Sequence, residues 1–435
     1  MISAKNQASE VNVACIGVGG AGWFDLRSVS KLAHIAAICD VDEKHLARAA
    51  DLFPDAARYH DYRELLAKER AIDAVVISTP DHTHAPAALQ AMSLGKHCYC
   101  QKPLATTIAE CRRIASTAMT YGVATQMGTQ GVAEPRTREG IEVIRSGLLG
   151  EVQEVHVWTD RPGAFWSPAL GAAAAATSPT PDGIDWDLWI GTAPYRPYHP
   201  SYHPFGWRSF VDFGTGAIGD MGCHNAALPF LGLELGLPIS IDGTWSSTSP
   251  GRFPAWSELV FEFPGRGSRP AVKLFWYDGG RLPPSELTEE IRLAENGSLV
   301  VGSEGKYYSP DWSGSYRYLL PTKRFAAYRP PERTLPRPET HYAEWIMACK
   351  GEAPALCNFF DFGATLTEIL LLGNLAIRLG GKIYWDAERG CVIDRPDANQ
   401  YIDRAYREGW ELFELPNERS ERNGNHTGLD VQRTL

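Results

Sequence analysis

The stretch that decides the fold is Val11-Asn12-Val13-Ala14-Cys15-Ile16-Gly17-Val18-Gly19-Gly20-Ala21-Gly22. Residues 11–17 form a short, nearly continuous apolar run, which reads as a strand buried on both faces. The run passes directly into the pattern G-x-G-x-x-G, with Gly17, Gly19 and Gly22 at its fixed places and Gly20 and Ala21 among them. Gly17 permits a tight turn, Gly19 lets the backbone approach a pyrophosphate, and Gly22 lets the following helix pack closely on the strand. The start of that helix offers unpaired N–H groups and positive potential to phosphates. Asp40 closes the next apolar run 23 residues after Gly17. A carboxylate there accepts hydrogen bonds from adenosine ribose hydroxyls and repels a 2′-phosphate, so NAD is expected rather than NADP. FAD, or a glycine-rich turn that binds nothing, are the competing readings of the same motif.

Outward from this motif, strands and helices alternate. A helix carrying Trp23, Leu26 and Ala33 comes first, then a strand over His34–Asp40. Asp42 is placed to cap a helix over Glu43–Phe53. Further strands are expected at Ile72–Ser78, Lys96–Cys100 and Val123–Met127, with a helix from about Ala85 to Leu94 that stops at Gly95. Apolar strands separated by amphipathic helices mean a parallel sheet covered on both faces, a doubly wound α/β domain over residues 1–125. The rhythm then changes. Val152–Thr159, Glu258–Phe263 and Val272–Tyr277 read as longer strands rich in β-branched and aromatic residues. Asn296-Gly297 is a hairpin signal. Residues 126–390 are therefore expected to form a second α/β domain with an open, mostly antiparallel sheet. Helices are expected at His341–Cys349 and Phe362–Leu379, the latter placed to pack back on the first domain. Residues 391–435 read as a C-terminal extension, with a polar tail from 416.

Composition narrows the function classes. The 435 residues carry 42 Lys and Arg against 52 Asp and Glu, a net charge of −10. That balance argues against a nucleic-acid coat or a polybasic membrane binder. No uninterrupted run of eighteen apolar residues occurs. The nine cysteines are odd in number and contain no C-x-x-C pair, which suits reduced core thiols rather than a disulfide framework or zinc knuckle. Met1–Glu10 is polar, without the apolar segment of a secretory leader. A cytoplasmic protein is expected.

Three further motifs occur in order. Thr79-Pro80-Asp81-His82-Thr83-His84 follows the Ile72–Ser78 strand. Gln101-Lys102-Pro103 follows the Lys96–Cys100 strand. Gly214-Thr215-Gly216-Ala217-Ile218-Gly219-Asp220-Met221-Gly222-Cys223-His224 comes much later. Together they resemble the Gfo/Idh/MocA family, named for glucose–fructose oxidoreductase, inositol dehydrogenase and rhizopine catabolism. The resemblance runs from about residue 11 to about residue 390. It implies an N-terminal Rossmann domain, a C-terminal α/β domain with a large open sheet, and a homodimer or homotetramer through that sheet. It also implies that Thr79, Pro80, His84, Gln101 and Lys102 lie near NAD. The family's Glu-Lys-Pro motif maps onto Gln101-Lys102-Pro103, so the lysine is kept and the glutamate is not. Its Asp-x-x-x-His pair maps onto Asp220 and His224.

The residue types suit oxidation of a carbinol. The hydroxyl proton needs a base, and His224 has an ordinary pKa near neutrality. Asp220, four residues earlier, shares a helical face with it and can orient substrate or imidazole. Lys102, at the C-terminal end of a parallel strand, can share the proton and stabilise a developing alkoxide. A solvated lysine, a core histidine and a helix N-cap are the structural readings of Lys102, His224 and Asp220, and His84 equally suits a helix cap. Arg161, Trp207 and Arg208 are candidate substrate ligands, each arginine also suiting a structural ion pair. The aromatic loop from Trp186 to Arg208 suits either a sugar ring or packing against the sheet. His199 and His203 stand among prolines at 197, 200 and 204, which disfavours the helix that a metal pair needs; no metal is expected. Two activities remain open: net NAD-dependent oxidation of a sugar, cyclitol or glycoside hydroxyl, or a glycosidase or epimerase that recycles NAD through a transient keto-sugar. A non-catalytic NAD or sugar binder is the third possibility.

Overall fold

The computed structural model describes residues 10–163, 178–288, 291–314, 316–393 and 395–412. Residues 164–177 and the polar tail from 416 lie outside the described residues.

The first layer is a six-stranded parallel sheet. Its elements in chain order are β1 (Asn12–Ile16), α1 (Gly20–Val29), β2 (His34–Cys39), α2 (Glu43–Leu52), β3 (Ala57–Tyr59), α3 (Tyr62–Lys68), β4 (Ala74–Ile77), α4 (His84–Ser93), β5 (His97–Cys100), α5 (Ile108–Tyr121) and β6 (Thr125–Met127). The strand order is β3-β2-β1-β4-β5-β6. All four residues of β4 are buried, as expected for a central strand covered on both faces. Asp42 caps α2, its side chain accepting from Lys44 N. Thr107 and Glu110 form a reciprocal capping box at the start of α5. β3 is an edge strand of three residues with an exposed centre, and sequence reading passes over it.

The second layer follows with α6 (Pro135–Arg145), β7 (Val152–Trp158), α7 (Trp186–Ile190), α8 (Gly216–Asn225), α9 (Ala227–Leu233), β8 (Ser240–Trp245), β9 (Ser257–Phe263), β10 (Val272–Tyr277), β11 (Gly297–Gly302), β12 (Lys306–Ser309), β13 (Tyr318–Leu320), α10 (His341–Cys349), α11 (Ala364–Leu379), β14 (Ile383–Asp386), β15 (Cys391–Val392) and α12 (Asn399–Ile402). Nine strands join in the order β13-β12-β11-β7-β10-β9-β8-β14-β15. Only β7 and β10 pair in parallel. The sheet is therefore mixed and mostly antiparallel.

Asn296-Gly297 is not a hairpin turn. β11 begins at Gly297 and pairs with β7 and β12, and no strand precedes it directly. The Asn296 side chain instead bonds Thr159 and Asp160 at the end of β7, so its polar group serves a tertiary contact.

Two helices of the second half join the layers. Trp345 and Ile346 on α10 enter the core formed by Val13, Val76 and Tyr99. The segment Phe359–Leu379 is long and apolar enough to cross a membrane by length and composition, yet 72% of its most apolar window is buried. It is packed between α5 and α8. Glu368 on it pairs with Arg112 of α5 at 2.6 Å. This packing places the C-terminal ends of β4 and β5 opposite α8.

Candidate active site

The glycine loop is a cradle open at Gly20, where a Cβ would meet nothing within 4 Å. Gly17 N donates to Cys39 O at 2.8 Å. A Cβ on Gly22 would lie 2.0 Å from Gly17 O, so the close approach of α1 to β1 requires glycine there. α1 has no side-chain cap at Gly19, which leaves its first amides to a ligand or water. Asp40 Oδ2 accepts from Val18 N at 2.9 Å and Gly19 N at 3.1 Å, and Oδ1 accepts from Asp42 N at 2.9 Å. The carboxylate thus shapes the loop and keeps acceptor capacity on Oδ1. His45, a residue that sequence reading missed, lies 3.7 Å from Asp40 Oδ2. Its ring fills the space a Cβ on Gly19 would take. The contact with Asp40 raises its pKa. Thr79 Oγ1 is buried with no hydrogen-bond partner among the described residues. The open cradle, the uncapped helix start, the carboxylate after β2 and this unpartnered hydroxyl fit a dinucleotide.

Pro80 and His84 hold the loops rather than line the cradle. Pro80 O accepts from Thr83 Oγ1 at 3.0 Å. His84 opens α4, buried, with Nδ1 2.7 Å from Pro103 O and Nε2 2.8 Å from Thr79 O. Burial lowers its pKa to about 4. The neutral ring lies between the β4 and β5 exits and donates its one N–H to one of these two carbonyls. Gln101 has a partner that the motif does not announce. Its amide nitrogen contacts both oxygens of buried Asp25, at 3.1 and 2.8 Å. Ser78 and Tyr342 hydroxyls also donate to Asp25, each at 2.6 Å. The amide of Gln101 therefore satisfies a buried carboxylate on α1.

Between the domains lies a charged cluster. Lys102 Nζ donates to Asp220 Oδ1 at 2.6 Å and to Asp220 O at 2.8 Å. Asp220 sits inside α8, whose N-cap is Thr215, so it is not a helix cap. Arg208 Nε approaches the same Oδ1 at 3.5 Å. Burial pushes the Asp220 carboxyl up, but Lys102 and Arg208 together pull it further down, to about 2. His224 follows one turn later. Burial, reinforced by the Lys102 charge, lowers its pKa to about 3, so it is a neutral base at physiological pH. Its ring stands 5.2 Å from that of Trp312.

Asp81 belongs to this cluster, and sequence reading gave it no role. Its Oδ2 accepts from Thr215 Oγ1 at 2.7 Å. Burial raises its pKa to about 7, against the pull of Thr215 and Arg208. The only sequence signal is a carboxylate inside the Thr79–His84 motif.

The other candidates have side-chain partners within their own segments. Arg161 pairs with Asp160, and its carbonyl accepts from Gly279 N. Trp207 is buried in a cluster with Trp186, Trp189, Tyr198, Tyr202, Phe210 and Phe213. These rings stack on one another, Trp186 and Trp189 with centroids 4.5 Å apart. The aromatic loop is thus a small core rather than an open sugar platform. Trp207 supports the Arg208 guanidinium, 4.2 Å above its ring. His199 bonds Ser201 at 2.7 Å. Among the described residues no group of three or more His, Cys, Asp or Glu could hold a metal ion.

Comparison with known proteins gives the family and the fold. Residues 11–129 match the model of an oxidoreductase family with an NAD-binding Rossmann fold. Residues 136–263 match that of its C-terminal α/β domain. The chain is 32% identical over 184 residues to inositol 2-dehydrogenase 2 of Saccharopolyspora erythraea, 41% of this chain and 53% of that protein. It is 38% identical over 119 residues to a glycosyl hydrolase family 109 protein of Shewanella baltica, 25% of this chain and 26% of that protein. The matched stretches thus span about half and about a quarter of these relatives. The WlbA dehydrogenase of Bordetella pertussis, solved with NADH and UDP-GlcNAcA, superposes with a TM-score of 0.61 at 16% identity, covering 87% of this chain and 99% of that one; this likeness concerns the fold. With both family domains matched in order and the motif residues gathered at the interdomain cleft, the chain belongs to the Gfo/Idh/MocA family of oxidoreductases.

Proposed function

We propose that the protein oxidises a secondary hydroxyl of a sugar, cyclitol or glycoside, with NAD as cofactor and the interdomain cluster as its catalytic centre. The observation that carries this reading is the Lys102–Asp220 pair at 2.6 Å with neutral His224 one helical turn away. Gly19, Gly20 and Ala21 at the start of α1, Asp40 and Thr79 would hold NAD, which when bound supplies the hydride acceptor. Lys102, fixed by Asp220, donates a hydrogen bond to the substrate oxygen and stabilises its negative charge as the proton leaves. His224 is uncharged and is the group placed to receive that proton; its pKa, held low by burial and the Lys102 charge, has to rise as negative charge develops on the substrate oxygen beside it. Arg208 steadies Asp220 from the other side. Burial of the cluster keeps water from weakening these interactions.

A second reading uses the same residues for a recycled redox step. Transient oxidation acidifies the neighbouring C–H, so that a glycosidic group is eliminated or a centre epimerised before hydride returns. The similarity of about a quarter of the chain to a glycosyl hydrolase family 109 protein favours keeping it.

The test is a screen of free sugars, cyclitols and aryl glycosides with NAD. Absorbance of reduced nicotinamide and release of the aryl group are followed together, with Lys102→Ala as control. Growth of NADH that vanishes in the variant supports net oxidation. Aryl release without NADH growth moves the recycled reading to first place. Absence of both, with no NAD binding by calorimetry, overturns both readings.

A further inference from the structure

α8 ends at His224 and Asn225, and both side chains line a small cavity together with Thr129, Thr137, Ser298 and Trp312. The space enclosed is about that of one water molecule or one hydroxyl group. Three side chains of its wall each carry a buried polar atom without a hydrogen-bond partner among the described residues: His224 Nδ1, Asn225 Oδ1 and Thr137 Oγ1. Such atoms are costly to leave unmade, and three around one cavity point to a shared partner.

The hydrogen-bond roles define that partner. Asn225 Nδ2 donates to Trp158 O at 2.8 Å, so its Oδ1 is left as an acceptor. Thr137 can donate. Neutral His224 carries its proton on either nitrogen. A hydroxyl meets all three, donating to Asn225 Oδ1 and accepting from Thr137 and from His224 Nδ1–H. A carboxylate, phosphate or ether has no proton for Asn225, and Asp311 on the same wall opposes an anion. With the proton on Nδ1, Nε2 keeps its lone pair for the base role.

The roof is the loop between β12 and β13. Gly314 there has φ +68, and a Cβ on it would lie 1.7 Å from Thr137 Oγ1, so the loop closes on Thr137 only with glycine. Trp312 remains 47% exposed and offers an apolar face to the C–H side of a sugar or cyclitol ring.

We propose that this cavity is a subsite for one hydroxyl of the substrate, and that Asn225 and Thr137 select neutral polyols that carry it. The proposal rests on the oxidoreductase reading and names its substrate class. Its competitor is a structural water held by the same three atoms.

The experiment titrates NAD-loaded protein by tryptophan fluorescence with myo-inositol, D-glucose and their monodeoxy derivatives. Wild type is compared with the nearly isosteric Thr137→Val, with thermal melts in parallel. Loss of one particular hydroxyl is expected to weaken binding about ten-fold or more in wild type. The same loss is expected to have little further effect in Thr137→Val. If deoxy derivatives lose equally in both proteins, or the variant changes only the melting temperature, the cavity holds structural water and the proposal is overturned. Turnover of polyols with that result leaves the oxidoreductase reading standing. Failure of every polyol to bind overturns the subsite, and the turnover screen then decides the wider reading.

Discussion

Lys102 Nζ lies 2.6 Å from Asp220 Oδ1 and 2.8 Å from the Asp220 carbonyl, a contact between residues 118 positions apart that ties the β5 exit of the first domain to α8 of the second. Both side chains are 14% exposed, so the pair is worth most when complete. Asp220→Leu is expected to cost about 3 kcal/mol, because it leaves the buried Lys102 charge uncompensated, and Lys102→Met less, because Arg208 remains 3.5 Å from Asp220. The double variant is expected to cost clearly less than the sum. Urea unfolding of the four proteins checks this. Additive costs would mean the two groups act independently.

Gln101→Glu would place a second carboxylate against Asp25, itself buried and already raised in pKa. Two carboxylates at such distances cannot both ionise. The variant is expected to lose about 2–3 kcal/mol at pH 7. The sign follows from linkage. A carboxyl with a folded pKa raised above its unfolded value of about 4.3 costs stability as pH rises above that value. The loss should therefore shrink below about pH 4.3. Adding Asp25→Asn to the variant is expected to restore stability at pH 7, as read by melts across pH. A melting temperature of Gln101→Glu equal to wild type at pH 7 would show that Gln101 does not serve Asp25.

Acid sensitivity should come from buried histidines. Burial lowers His82 and His84 to about 4, and His224 and His341 to about 3. In the unfolded chain each titrates near 6.5. Below that pH the unfolded state binds protons that the folded state refuses, so stability is present above about 6.5 and lost as pH falls toward 3–4. Each group contributes a slope approaching about 1.4 kcal/mol per pH unit in that window. Melts from pH 7.5 to 4.5 are expected to fall steeply, and less so in His84→Gln. A flat profile would mean these rings are charged when folded.

The C-terminal segment fastens the site from outside. Arg404 reaches Glu110, buried at the start of α5, at 2.8 Å, and bonds His82 O and Thr192 Oγ1. Arg404→Ala is expected to cost about 3 kcal/mol or more by stranding Glu110. It should also increase proteolysis near Asp81–His84, because Arg404 holds the His82 carbonyl while the neutral His82 ring, set between Phe213 O and Trp189 O, can donate to only one of them. Limited proteolysis with mass spectrometry reads both effects. Unchanged cleavage would confine Arg404 to a surface role.

The first domain was legible because its signals are local. Val11–Gly22, Asp40 and the Asp42 cap each act within one strand–helix unit. The meeting of Lys102, Asp220 and His224 was visible only through motif resemblance, since no local pattern joins residues 118 apart. The Gln101–Asp25 contact was illegible for the same reason: Asp25 lies on α1, and nothing in sequence pairs the two. The aromatic loop was ambiguous in sequence because rings that suit a sugar also suit one another. Trp186 and Trp189, three residues apart on the short α7, stack at 4.5 Å. His45 escaped notice because only the folded loop brings it over Gly19.

The central claim, that the Lys102–Asp220–His224 centre serves hydride transfer between a carbinol carbon and NAD, is tested most directly by isotope. A polyol that the protein converts, deuterated at its reacting carbon, is incubated with NAD at single-turnover ratio, and the quenched nicotinamide is read by mass spectrometry. Deuterium is predicted at nicotinamide C4 in wild type and absent in Lys102→Ala. Conversion of the polyol with no label ever reaching the nicotinamide would contradict the account.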